Sequence, residues 1–392
     1  MALINIIRDR APEMRAVFED LHRHPELGFE ERRTAGIVEG LLREWKFDEV
    51  HTGIGETGVV GVLHGKGRGN RRVGLRADMD ALPIEEITGL NYASQTPGTM
   101  HACGHDGHIT MLLGAAQYLA ETRDFDGTAV FIFQPAEEGL GGARKMIAEG
   151  LFQRFPVHEV YGMHNQPLAQ LGRARIRPGA MMAGASFFDI TIRGRGSHAA
   201  QPHRSRDVLV IGAELIGQLQ TIVARNVDPV KSCVLSCTQF HTGNAYNIVP
   251  ETAAITGTVR YFEQEVMDLV AARMRELCDG LALGHGITID LDIRNVFDVL
   301  VNAPDQTDAY VAAAADVLGA DNVDADCPQF MGSEDFADMS AAVPGAYINV
   351  MHGGQGALHN PAFTLDPEVL PIGSSIYARI IERRMPLNKE AA

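Results

Sequence analysis

Apolar residues recur at helical spacing in the opening segment, at Ile7, Ala11, Met14, Val17, Phe18 and Leu21. This predicts a helix over Ile4–His24 with one buried face. Short strand-like runs follow at Gly58–His64, Val73–Asp78, Ala129–Gln134 and Val160–His164, with helical patterns between them at Ile109–Glu121 and Ala143–Glu149. Strands alternating with helices predict an α/β domain with a largely parallel sheet, and such sheets bind ligands beyond the carboxyl ends of their strands.

The texture changes near Phe187. Phe187–Arg193 alternates as a strand, Val208–Val223 is helical, and Ser232–Phe240 and Ala254–Tyr261 read as strands. A helix at Val266–Leu283 and a strand at Thr288–Ile293 complete a β-α-β-β-α-β order, the split arrangement of a ferredoxin-like unit. Residues 185–297 are therefore predicted to form an α+β domain inserted into a discontinuous one made of 1–184 and 298–392. The α/β texture resumes with a helix at Thr307–Leu318, a strand at Ala346–Val350 and a final helix at Pro367–Arg384.

Charge narrows the functions. Among the 392 residues, 34 Lys and Arg face 50 Asp and Glu, a formal charge of −16. Such a surface repels phosphate backbones and anionic lipid, so neither nucleic acid nor membrane is an expected partner. No apolar run reaches the ~18 residues of a membrane span, and Met1–Arg10 lacks the pattern of a signal peptide. Five scattered cysteines make a poor disulfide framework and predict a reducing, cytoplasmic setting. Cys233 and Cys237 share one strand face and read as core thiols, and Gly65–Gly69 reads as a hairpin turn rather than a phosphate loop.

The candidate chemistry is in the histidines. Met100-His-Ala-Cys-Gly-His-Asp-Gly-His108 opens a helical run, and Cys103, His105 and His108 offer metal-binding side chains, with Asp106 either a ligand or an orienting group. After the strand Ala129–Gln134 come Glu137 and Glu138, adjacent carboxylates that point apart, so one can ligate while its neighbour acts as a base. His164 ends another strand and His359 lies on a turn. No Gly-x-Ser-x-Gly elbow, His-Glu-x-x-His helix or Cys-x-x-Cys pair competes, which leaves metal-assisted hydrolysis as the leading chemistry.

These segments resemble the M20 metallopeptidase family, in particular its amidohydrolase branch of hippurate, N-acyl-amino-acid and auxin-conjugate hydrolases. The likeness rests on Leu21–Gly28, Leu75–Pro83, His101–His108, Phe133–Gly139, Gly196–Ala200 and Leu358–Pro361, spread over nearly the whole chain. It implies a phosphorylase/hydrolase-like catalytic domain with an inserted lid that dimerises. It also implies two divalent ions per subunit, zinc or manganese, with cobalt, nickel or iron as further candidates. The implied ligands are Cys103, His105, Glu138, His164 and His359, with Glu137 as general base. His198 would donate to the oxyanion, from the neighbouring subunit in a homodimer or dimer-based oligomer. Asn247 and Arg260 would bind substrate, a small N-acyl amino acid. Where the wider family has a His-x-Asp pair this chain has Arg76-Ala77-Asp78, so Asp78 is expected only to orient a ligand, and Asp106 likewise. The alternatives are a family member acting on free peptides and an inactive metal-binding assembly protein.

Overall fold

The computed structural model describes residues 1–387. The chain forms two compact units, one from Met1–Met181, Leu300–Pro328 and Asp335 onward, the other from Met182–Val299 and Gln329–Glu334.

The first unit is built on an eight-stranded mixed sheet. Its order is Glu49–Ile54, Gly58–His64, Thr128–Gln134, Arg72–Asp78, Glu159–Gln166, Gly345–Met351, Ala174–Arg175 and Val323–Asp324. The four central strands, from Thr128–Gln134 to Gly345–Met351, run parallel, and Gly58–His64 joins them antiparallel. Every residue of Thr128–Gln134 is buried, as expected for a strand covered on both faces. The helix His105–Thr122 packs on Arg72–Asp78 and between the helices Ala11–Arg23 and Leu370–Arg384. Its first twelve residues are all buried, so the motif at its start is held deep in the unit.

The opening helix is divided, at Arg10, into Asn5–Asp9 and Ala11–Arg23, because Pro12 starts a new helix in its first turn. Among the elements with no clear signal in the pattern are the helices Arg32–Glu44 and Phe336–Ala342 and the strand Glu49–Ile54.

The second unit carries a four-stranded antiparallel sheet in the order Cys233–Thr242, Thr252–Tyr261, Gly184–Arg193 and Thr288–Phe297. Two helices, Val208–Arg225 and Gln264–His285, cover one face and give the β-α-β-β-α-β arrangement. The first of these has the length and mean hydropathy (1.4) of a candidate membrane span. Its Val208, Ile211, Leu215, Leu219 and Ile222 are packed into the unit's core. The segment Gln329–Glu334 also belongs to this unit, although the sequence reading keeps all of 298–392 in the other. Phe330 bridges Met182, and its carbonyl accepts the N–H of Ala183 at 3.0 Å.

Candidate metal centre

The ends of the parallel strands and the start of the helix at His105 bring four distant segments together. Gly104 precedes that helix in the left-handed region (φ 86°), and a Cβ there would lie 2.4 Å from Asn165 Nδ2. Only glycine fits both constraints. Asn165 in turn donates to the Cys103 carbonyl at 2.6 Å, so the loop carrying Cys103 is pinned to the strand carrying His164.

The five proposed ligands converge. Cys103 Sγ lies 3.4 Å from His164 Nε2, and His359 Nε2 lies 3.1 Å from Glu138 Oε1. His105 Nε2 is 4.0 Å from the same oxygen. Ligand atoms of Cys103, His105 and His164 lie within 4.8 Å of one another, as do those of Cys103, Glu138 and His359, so Cys103 is common to both groups. Tetrahedral ligands at 2.0–2.3 Å from one ion sit roughly 3.3–3.8 Å apart, and the distances here, 3.1 to 4.0 Å, bracket that spacing.

The histidine protons are arranged to match. His164 Nδ1 donates to the Asn165 carbonyl at 2.6 Å, and His105 Nδ1 to Asp80 Oδ1 at 3.2 Å. Each ring therefore turns Nε2 toward the cluster. His105 Nε2 is buried and has no hydrogen-bond partner among the described residues, a costly arrangement that a cation would relieve. Burial pushes the Cys103 thiol up and Glu138 adds to this, but His164 and His105 outweigh both and bring it to about 7. The thiolate, the form that ligates, is thus available near neutral pH. His105 is held well above the usual histidine range, because Asp78, Cys103 and Asp80 outweigh its burial. His359 rises to about 10 through hydrogen bonds to Cys103 and Glu138. This donor set fits divalent metal.

His108 is not free to join it. Its Nδ1 donates to Asp78 Oδ1 at 2.6 Å, and its Nε2 accepts the Asn165 N–H at 2.9 Å. Burial drives it down to about 4, and it stays neutral.

The two aspartates expected to orient ligands have other partners. Asp78 holds His108 and the Arg76 guanidinium, the latter at 2.9 Å, and lies 3.8 Å from His105 Nε2 rather than behind the ring. Asp106 binds His22 Nδ1 at 2.6 Å and its own helix through the Gly107 N–H. The residue that orients His105 is Asp80, whose second oxygen also accepts the Glu138 N–H at 2.9 Å. Its only trace in the sequence is the Asp78-Met-Asp80 run at the end of the strand Arg72–Asp78.

Glu137 is buried beside the cluster and groups with His105 and Glu138. The backbone N–H of Asp335 approaches its Oε1 at 3.4 Å. Asp335 is itself held by Arg76 at 3.0 Å and by Gln134 and Ala143. Two residues with side chains take left-handed backbone conformations here, Ala136 (φ 54°) and His359 (φ 64°). Strain of this kind collects at functional sites.

His198, Asn247 and Arg260 lie in the second unit. Ser197–His198 pairs with Ile248–Val249, and Ala199 donates to the Asn247 carbonyl at 2.9 Å, so His198 and Asn247 line one open cavity of about 520 Å³. His198 Nδ1 accepts the Ala200 N–H at 3.1 Å, which leaves Nε2–H as an exposed donor. Arg260 bonds Thr258 and stacks 6.0 Å over Phe187, and burial lowers its pKa.

The family model described as peptidase family M20/M25/M40 matches residues 74–383. Hippurate hydrolase of Campylobacter jejuni is 40% identical over 380 residues, covering 97% of this chain and 98% of its own length. N-acetylcysteine deacetylase of Bacillus subtilis is 37% identical over 92% of this chain and 94% of its own. Among solved structures, the Bacillus subtilis YXEP protein, described as a dinuclear metal-binding peptidase of the M20 family, superposes with a TM-score of 0.84. It is 32% identical and covers 97% of this chain and 100% of its own. With histidine, thiolate and carboxylate donors converging in a fold shared over almost its full length, the chain belongs to the peptidase family M20/M25/M40.

Proposed function

We propose that this protein is a metal-dependent amidohydrolase that cleaves N-acyl amino acids, hippurate-like or N-acetylated, to a carboxylic acid and a free amino acid. The observation that carries this reading is the convergence of Cys103, His105, Glu138, His164 and His359 around an unpartnered imidazole nitrogen, with Glu137 alongside. The names of the hippurate hydrolase and N-acetylcysteine deacetylase relatives support the substrate class.

In this reading Cys103, His105 and His164 would hold one ion, and Cys103, Glu138 and His359 a second. Divalent ions supply Lewis acidity there, acidifying water and polarising the acyl carbonyl. Zinc suits the thiolate and imidazole donors, and manganese is accommodated by the carboxylate. Glu137 accepts the proton of the attacking water and returns a proton to the leaving amine. Arg260 and Asn247 bind the amino-acid portion, the guanidinium pairing with its carboxylate. His198 donates Nε2–H to the developing oxyanion.

The working unit in this proposal is a cytoplasmic dimer joined through the second unit. Leu209 and Val210 are exposed on the helix Val208–Arg225, and Cys233–Thr242 is an open sheet edge, and a symmetric contact would cover both. All five cysteines are free thiols, which supports a reducing compartment.

The test is a panel of N-acyl amino acids and free dipeptides on metal-reconstituted protein, with and without chelator. N-acyl substrates should be preferred and chelation should abolish turnover, whereas full activity in metal-free protein would reject the reading. Glu137→Gln should lower kcat roughly 10²–10⁴-fold with little change in metal content. Mixing His198→Ala with Glu137→Gln subunits should restore activity if His198 serves the neighbouring site. Persistent inactivity after proven exchange rejects that role.

A further inference from the structure

Glu31 is a fully buried carboxylate just ahead of the helix Arg32–Glu44. Among the described residues no Lys, Arg or His forms an ion pair with it. A buried carboxylate without a cation is expensive, and burial pushes its pKa to about 7. Each of its two oxygens nevertheless accepts a hydrogen bond. Oε2 accepts from the Thr57 hydroxyl at 2.5 Å, and Oε1 accepts the backbone N–H of Ala136 at 2.8 Å.

Ala136 immediately precedes the Glu137–Glu138 pair. Its left-handed conformation costs a residue with a Cβ about 1–2 kcal/mol, so something must hold it. The Ala136 carbonyl is fixed by the Gly142 N–H at 3.0 Å, and the Glu138 N–H is fixed by Asp80 at 2.9 Å. The Gly139 N–H donates to the Glu137 carbonyl at 2.6 Å, and the anchor on the Ala136 N–H is Glu31. Gly28 presses on the same residue, since a Cβ there would lie 3.1 Å from the Ala136 Cα.

From this geometry we infer that Glu31 is a positioning residue for the catalytic carboxylates. It clamps the strained backbone at Ala136 and thereby sets the directions in which Glu137 and Glu138 leave the chain. The inference rests on the reading of Glu137 as the base. Releasing the clamp leaves a buried N–H without an acceptor and lets the peptide units beside Ala136 rotate, carrying both carboxylates with them. A displacement of about 1 Å in a catalytic group can cost roughly 10²-fold in rate.

The test compares wild type, Glu31→Ala, Glu31→Asp, Glu31→Gln and Glu137→Gln as metal-loaded enzymes, reading kcat, KM, bound metal per subunit and melting temperature. Glu31→Ala should lose roughly 10–100-fold in kcat at temperatures well below its melting point, with KM within about twofold. Glu31→Asp keeps the charge but is one methylene too short to reach Ala136, and should fall with it. Glu31→Gln keeps an acceptor for the Ala136 N–H and a donor for Thr57, and should retain at least about a third of wild-type kcat. The high pKa of Glu31 agrees with this, because the site already tolerates a neutral group. Wild-type kcat in folded Glu31→Asp or Glu31→Ala overturns the proposal, as does a Gln variant as impaired as Ala. If Glu31→Ala does not fold, the Asp and Gln pair decides alone. Wild-type turnover in Glu137→Gln refutes the base assignment instead, so the two failures are distinguishable.

Discussion

Arg76 offers the sharpest test of the buried charge network. Its guanidinium is wholly buried, with hydrogen bonds to Gln134 Oε1 at 2.8 Å, Asp78 Oδ2 at 2.9 Å and Asp335 Oδ1 at 3.0 Å. Both aspartates are equally buried, and the ring of Phe336 lies 5.9 Å beneath the cation. Replacing Arg76 with Met keeps much of the volume and removes the charge. Two buried carboxylates are then left without their shared cation, and removing one partner of a buried pair costs about 3–5 kcal/mol. For the larger unit that is a fall of roughly 5–10 °C in melting temperature. The comparison is Arg8→Met, which removes an exposed ion pair to Asp9 at 2.8 Å and should change stability by under ~1 kcal/mol. Differential scanning calorimetry and urea unfolding of the metal-free proteins measure both. An Arg76→Met protein within about 2 °C of wild type would show that the aspartates relax or take up protons at little cost, and would refute the network as a structural requirement. If it unfolds early as expected, the Asp335 backbone that approaches Glu137 loses its support as well.

Cys103→Ser should lower the bound metal per subunit, measured by elemental analysis, whereas Cys278→Ala, in the core of the second unit, should leave it unchanged. Equal metal content in both would remove Cys103 from the ligand set. His22 lies between Asp106 and Glu86; burial opposes its charge, but these two carboxylates outweigh it and raise its pKa from 6.5 to about 9. A pKa raised on folding gives stability that is fully present below about 6.5 and is lost as pH rises through about 9, on the order of 3 kcal/mol in all. The deficit of His22→Gln in urea unfolding should therefore be larger at pH 6 than at pH 10, and an equal deficit at both would contradict a charged His22.

Much of this architecture was legible in the pattern of apolar residues, because strands buried on both faces and helices packed against them leave strong periodicities. The helix Arg32–Glu44 escaped because it buries only Thr34, Val38 and Leu42, one narrow stripe among charged neighbours. The return of Gln329–Glu334 to the second unit escaped because long-range pairing such as Phe330 with Met182 leaves no local mark. Within the site, the residue types and motifs marked the side chains that converge, but not the hydrogen bonds that orient them. Three aspartates, at 78, 80 and 106, lie within the segments Leu75–Pro83 and His101–His108. Only the turn after the strand Arg72–Asp78 and the direction of the helix from His105 decide that Asp80 reaches His105 while Asp106 reaches back to His22. Glu31 was invisible for the same reason, since its partner Ala136 is more than a hundred residues away.

The order of strands also has a consequence for synthesis. Glu159–Gln166, which carries His164, is paired on its far side by Gly345–Met351, a strand nearly 180 residues later in the chain. At ribosomal rates of roughly 5–20 residues per second, that edge stands open for on the order of 10–35 s while the second unit is made. During that interval a parallel-pairing strand that the finished fold buries is exposed to any other nascent chain. His359 arrives later still, so the metal site is complete only when the sheet has closed. Among the candidate ligands, Cys103, His105 and His164 are thus made before that edge is covered, whereas the group of Cys103, Glu138 and His359 is complete only after it.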